Sequence, residues 1–212
     1  VITDHACRPE FINWGRFFQG GHLCDVHWLW HQSYQEVPLD LERYLSGTTK
    51  LWVATTSVVT GEARYFPVDD VLTASCSIPL AYRDYPRVED EPMSDGGIAD
   101  SIPVAEAYRR GARDITVVLS RPLGYEKKPL AFPALTKRMF REQPGLAEAI
   151  IRRGERYNET LEFIRNPPED CRLRIIAPPE DFPVSRLTTD LNKLDLGYQQ
   201  GHRAAMAYLA EL

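Results

Sequence analysis

Residues 94–104 read SDGGIADSIPV, and this stretch decides the fold. An acid stands before two glycines, and a second acid and a proline follow. Gly-Gly permits positive φ and lets another backbone come close. Pro103 suits the first turn of a helix, with Asp100 and Ser101 where helix caps stand. A helical pattern runs over 104–110, Gly111 stops it, and residues 115–119, ITVVL, read as a strand. A strand apolar at nearly every position is expected in a parallel sheet covered on both faces. Asp95 then ends an extended segment, where α/β folds place reactive groups. Asp100 has a capping duty available, and Asp95 has no evident one. The plain alternative is an Asp-Gly turn without chemistry.

Outward from this stretch, residues 22–33 carry a broad apolar helical face and 38–45 a short helix closed by Gly47. Residues 51–59 are rich in β-branched side chains and predict a buried strand. Thr60-Gly61 turns the chain, and 63–66 returns as the second strand of a hairpin. A short helix over 68–75 runs into Ile78-Pro79. Downstream, 121–133 is a loop, 144–164 a long amphipathic helix, 172–176 a strand and 190–212 a helix. Strands alternating with helices give an α/β class. Three or four strands make a thin interior for a doubly wound sheet, so strands are expected to be missing from this chain, which starts at Val1 without Met.

The chain has 212 residues, enough for one ordinary domain. Its net charge of −5 argues against nucleic acid as a main partner and against simple adhesion to anionic lipid. No apolar run approaches the roughly 18 residues of a membrane span. Four cysteines are scattered without a CxxC pair, which reads as reduced, cytoplasmic usage, with one compact disulfide left open.

Other constellations carry two readings each. His22, Cys24, Asp25, His27 and His31 include zinc-type ligands, but no second ligand group follows them, and incidental histidines on a surface helix compete. Trp14, Phe17, Phe18, Trp28 and Trp30 form either core and cleft packing or an interfacial face for lipid headgroups. Ser75 and Ser77 lie on a helix-like segment with no nucleophile elbow around them. The charge-rich stretch 137–156 reads as a solvated helix face. His202 and Arg203 stand in no motif, which disfavours a Ser-His-Asp triad.

Four segments in order, RFFQGGHLCDVHWL (16–29), ATTSVVTGEARYF (54–66), ASCSIPLAY (74–82) and SDGGIADSIPVAEAYRRGARDITVV (94–118), resemble the patatin-like phospholipases. The resemblance covers most of the chain and is weakest from about residue 122. It implies a three-layer α/β sandwich around a mostly parallel sheet. It also implies a Ser–Asp dyad, with Asp95 as general base and Gly96 and Gly97 shaping its loop. The serine would stand in G-x-S-x-G, and a G-G-G-x-R-G stretch would supply the oxyanion hole. The implied chemistry is acyl transfer on lipid or other carboxylic esters, without metal or cofactor, and the interfacial reading of the aromatic set adds transient membrane-surface contact.

This sequence departs from that pattern in two respects. No serine is flanked by glycines at the required offsets, and Gly20-Gly21 is followed by His22. Both absent motifs precede the matched region in the family. The expectation is therefore one partial domain, 1–212, the C-terminal portion of a hydrolase, inactive by itself. A non-catalytic α/β scaffold and a zinc-binding module are the alternatives.

Overall fold

In the computed structural model of the chain, residues 5, 8–38, 40–68, 71–185 and 188–210 are described. Contacts divide the chain into two compact units, Val1–Ser101 with Leu130–Arg153, and Ile102–Pro129 with Gly154–Leu212.

The first unit opens with helices α1 (Trp14–Phe18), α2 (Val26–Glu36) and α3 (Leu41–Ser46). The helix expected from residue 22 begins only at Val26, because Asp25 caps it by accepting the Trp28 N–H at 3.0 Å. Cys24, just before, bridges to Ile12 in extended form. Asp40 caps α3 in the same way, and Gly47 ends it. Part of the helix expected over 38–45 falls at residue 39, outside the described residues.

Strands β1 (Trp52–Ser57) and β2 (Ala63–Pro67) form the expected hairpin, in antiparallel register from Trp52↔Pro67 to Thr56↔Ala63. Gly61 takes φ +74° in the turn, and Ser57 Oγ accepts the Thr60 N–H at 3.0 Å. After α4 (Val71–Ser75), β3 (Arg87–Val88) and β4 (Glu91–Asp95) form a second hairpin that the sequence reading did not contain. Residues 69–70, within the helix expected over 68–75, lie outside the described residues. The turn residues Glu89 and Asp90 have φ +48° and +63°. Two left-handed residues suit a two-residue hairpin loop, but Glu-Asp lacks the Asn-Gly or Asp-Gly signature of one. β4 also pairs antiparallel with β1, giving a four-stranded sheet in the order β2-β1-β4-β3.

After β4 come α5 (Gly96–Ala99), α6 (Val104–Arg109), β5 (Asp114–Val118), α7 (Pro133–Met139), α8 (Pro144–Arg165), β6 (Arg172–Ile176) and α9 (Leu191–Ala210). In the second unit β5 and β6 are parallel, in register from Asp114↔Arg172 to Val118↔Ile176. Ile115, Val117 and Leu119 are buried in one cluster with Val104, Tyr157, Leu161 and Ile164. The opposite face of β5 is open, with Val118 72% exposed. Coverage on both faces is thus not found. Asp114 and Thr116 turn that face polar, the first paired with Arg174 and the second bonded to the Tyr208 hydroxyl at 2.9 Å.

The chain is mixed α/β, as expected. The expected predominance of parallel pairing is not found among the described residues. Tight turns join β1 to β2 and β3 to β4, and a tight turn dictates antiparallel strands. The long helical crossover from β5 to β6 joins the parallel pair.

Candidate active site

β4 ends at Asp95, and α5 starts on the next residue. Gly96 is there because β1 presses against it. A Cβ at Gly96 would stand 2.2 Å from the Ala54 carbonyl oxygen and 2.5 Å from its carbon. The requirement is close approach and not positive φ, which is found at Gly20, Gly61 and Gly111.

The Asp95 backbone is fixed on both sides. Its N–H donates to the Ser77 carbonyl at 3.0 Å, and its carbonyl accepts the Thr56 hydroxyl at 2.7 Å. Thr56 Oγ1, fully buried, also accepts the Ala99 N–H at 3.1 Å, so one side chain ties strand end to helix end. The half-buried Asp95 carboxylate accepts the Gly97 N–H through Oδ1 at 2.7 Å. Asp95 therefore caps α5, a structural duty that the sequence reading assigned only to Asp100. A carboxylate has about four lone-pair sites, so capping leaves capacity to accept a proton.

Asp100 and Ser101 do not cap α6, which has no side-chain cap. Asp100 accepts the Tyr65 hydroxyl instead, and Ser101 Oγ donates to the Gly97 carbonyl at 2.7 Å. The neighbouring serines serve the backbone as well. Ser75 donates to Ala54 O at 2.7 Å, Ser77 to Thr73 O at 2.6 Å and Ser94 to Ser77 O at 2.8 Å. None of these protons is directed to a carboxylate. Cys76 is solvent-accessible, yet desolvation by the surrounding protein and then the Asp95 charge push its thiol up. A protonated thiol is a weak nucleophile.

The His and Cys constellation is dispersed among separate duties. His22 stacks on Tyr82 with ring centroids 4.1 Å apart, and its Nδ1 accepts the Arg83 N–H at 3.0 Å. Cys24 is buried, Asp25 caps α2, and His27 and His31 lie on that helix. Among the described residues, no three His, Cys, Asp or Glu side chains form a metal-binding group. The aromatic set divides too. Trp28 and Trp30 are half-buried, while no residue of α1 is buried, with Trp14 55% and Phe18 80% exposed. His202 sits on α9 beside the Tyr198 ring.

One contributor was missed. Arg153 of α8 donates from Nε to the Gly97 carbonyl at 2.7 Å. It lies in the stretch read as a solvated face, yet Leu146, Ala147 and Ala149 of that stretch are buried. An arginine in a charge-rich helix carries no local signal of a partner 56 residues away.

Residues 6–108 match the model of the family described as patatin-like phospholipase. This segment is similar to the patatin-like phospholipases. The match holds the β1–β2 hairpin, α4 and the whole Asp95 turn. Residues 143–212 match a second family, a domain of unknown function (DUF6363). The chain is also 28% identical over 220 residues to Uncharacterized protein YjjU of Escherichia coli (strain K12). That alignment covers 99% of this chain, which spans 61% of the relative's length. No helix among the described residues is long and apolar enough to cross a membrane.

Proposed function

We propose that the intact protein is a serine acyl hydrolase of lipid or other carboxylic esters, with Asp95 as its general base. The observation that carries this reading is the carboxylate held at the end of β4, inside the patatin-like segment, by bonds on both sides of its backbone. In the proposed reaction a serine Oγ attacks the ester carbonyl while Asp95 accepts its proton. Backbone N–H groups stabilise the tetrahedral oxyanion. Collapse expels the alcohol, which recovers the proton, and water repeats the sequence on the acyl-enzyme. No cofactor enters these steps.

The serine is assigned to chain outside residues 1–212, in the remainder of a three-layer patatin-like domain of which these residues are the C-terminal portion. The serines beside Asp95 all donate to backbone carbonyls, which supports that assignment. The 212-residue chain alone is then expected to show no enzyme-level turnover, since loss of the nucleophile costs on the order of a million-fold in kcat. Turnover of a p-nitrophenyl ester by this chain, abolished in Asp95→Asn, would show that the nucleophile lies within it.

The same reading includes transient contact with a membrane surface and a reduced, cytoplasmic setting. Free Cys24, Cys76 and Cys171 accord with the setting. The membrane contact is assigned to α1. Arg16 clamps this helix through the carbonyls of His22, Glu10 and Phe11 at 2.8–3.0 Å, which leaves Trp14 and Phe18 outward. Residues 11–24 contain no Asp or Glu, so no carboxylate in this segment repels a phosphate headgroup. The competing reading, a scaffold without chemistry, draws on the capping bond that already gives Asp95 a role.

A further inference from the structure

We infer that Arg153 is a positioning residue for Asp95, and that the first half of α8 is the strut that holds the Asp-Gly-Gly turn. This gives the segment matching a domain of unknown function a share in the site. The inference rests on the reading of Asp95 as the base, and its test uses no activity.

Three contacts within the first unit carry it. Arg153 Nε donates to the Gly97 carbonyl at 2.7 Å, an oxygen that also accepts the Ser101 hydroxyl. A methyl group on Gly97 would meet Asp95 Oδ1 at 2.9 Å and Arg153 Nη2 at 3.8 Å. The carboxylate and the guanidinium thus flank the same residue. Next in the chain, Ile98 is 5% exposed and packs in one cluster with Leu146, Ala147 and Ala149 of α8. At the start of α8 two glycines bring backbones together. A Cβ on Gly145 would stand 2.1 Å from the Val59 carbonyl oxygen, and one on Gly61 would stand 2.2 Å from that of Gly145.

Gly145 and Arg153 are eight residues apart, about 12 Å along a helix. One end of this rigid element is seated on the β1–β2 turn and the other on Gly97. The Gly97 N–H is the donor that orients Asp95 Oδ1, and it shares its Cα with the carbonyl that Arg153 holds, so anchoring that carbonyl restrains the rotation of Gly97 that would release the carboxylate. A hydrogen bond from a charged donor is among the stronger ones, so without Arg153 the half-buried Gly97 carbonyl keeps the Ser101 hydroxyl but loses the stronger of these two donors.

The test is amide hydrogen exchange by NMR on the 212-residue chain. In Arg153→Met, exchange at Gly97 and Ala99 is expected to quicken about tenfold, with the Ile115 and Val117 amides of the second unit unchanged. Arg153→Lys keeps the charge and one donor, and is expected to restore most of the protection. Should the Met variant not fold, the Lys variant alone must still quicken Gly97 more than Ile115. Parent-like protection at Gly97 in Arg153→Met overturns the inference. So does an equal loss at every amide, which would mean that Arg153 supports the fold at large. A chain with no hydrolase role returns the same result, so this test stands apart from the assignment of the reaction.

Discussion

Gly96→Ala puts a methyl group where the β1 backbone already stands. The new Cβ would lie 2.2 Å from the Ala54 oxygen, against the 3.0 Å below which such contacts are not made. Some 0.8 Å must be found, the difference of those two distances. β1 cannot supply it, because it is held on both edges, by β2 and β4. α5 must therefore lift, which stretches the Thr56 hydroxyl's bond to the Asp95 carbonyl and the bond it accepts from Ala99. Overpacking costs about 1–3 kcal/mol, and weakening two hydrogen bonds adds about 1 kcal/mol. The smaller unfolded-state entropy of alanine returns about 0.5–1 kcal/mol. The net is a loss of about 2 kcal/mol. With an m-value of about 2 kcal/mol/M, the urea midpoint falls by about 1 M. Tryptophan fluorescence reads this directly, since Trp14, Trp28, Trp30 and Trp52 all belong to the first unit. Gly97→Ala is the internal comparison. Its contact, at 2.9 Å, is with the Asp95 side chain, which can turn aside, so it costs about 1 kcal/mol. A Gly96→Ala midpoint within about 0.25 M of the parent, or a greater loss from Gly97→Ala, would refute this account of why glycine follows Asp95.

Two further outcomes are expected. Trp14→Ser combined with Phe18→Ser costs no more than about 1 kcal/mol of stability, because Phe18 is 80% and Trp14 55% exposed. It weakens co-sedimentation with ether-linked phosphatidylcholine vesicles by about tenfold, whereas Phe132→Ser, an equally exposed phenylalanine of the first unit, does not. Cys76, although solvent-accessible, reacts with iodoacetamide more slowly than a free thiol at neutral pH, because desolvation by the surrounding protein and the Asp95 charge disfavour its thiolate. Asp95→Asn removes one of those causes. It speeds the reaction at pH values below the ordinary thiol value of 9.0, and the gain fades where both thiols are ionised. An unchanged or slower rate in that variant would mean that Asp95 does not act on this cysteine.

What was legible in the sequence was what neighbouring residues decide. The β1–β2 hairpin follows from a β-branched run, a Thr-Gly turn and a return strand. The helix over 144–165 follows from its apolar period, and Asp95 stood out because a glycine pair must have a reason. What was not legible depends on partners distant in the chain. Glu89-Asp90 adopts a hairpin turn without that turn's usual residues. Residues 115–119 look evenly apolar, but the pairing with Arg174 and Tyr208 leaves one face of β5 open. Asp100 turns to a tyrosine 35 residues earlier and abandons the cap that its position offered. Arg153 looked solvated because nothing beside it announces Gly97. For Gly96 the sequence left positive φ and close backbone approach both open, and choosing contact with β1 between them needed three dimensions.

The most direct measurement of the central claim is kcat/KM for a short-chain p-nitrophenyl ester, with the protein as its gene encodes it and with its Asp95→Asn variant. If Asp95 takes the serine proton, the folded variant loses about a million-fold, the scale seen when the general base of a serine hydrolase is removed. A folded Asp95→Asn protein within about tenfold of the parent would contradict the account, and would leave Asp95 as the cap of α5 alone.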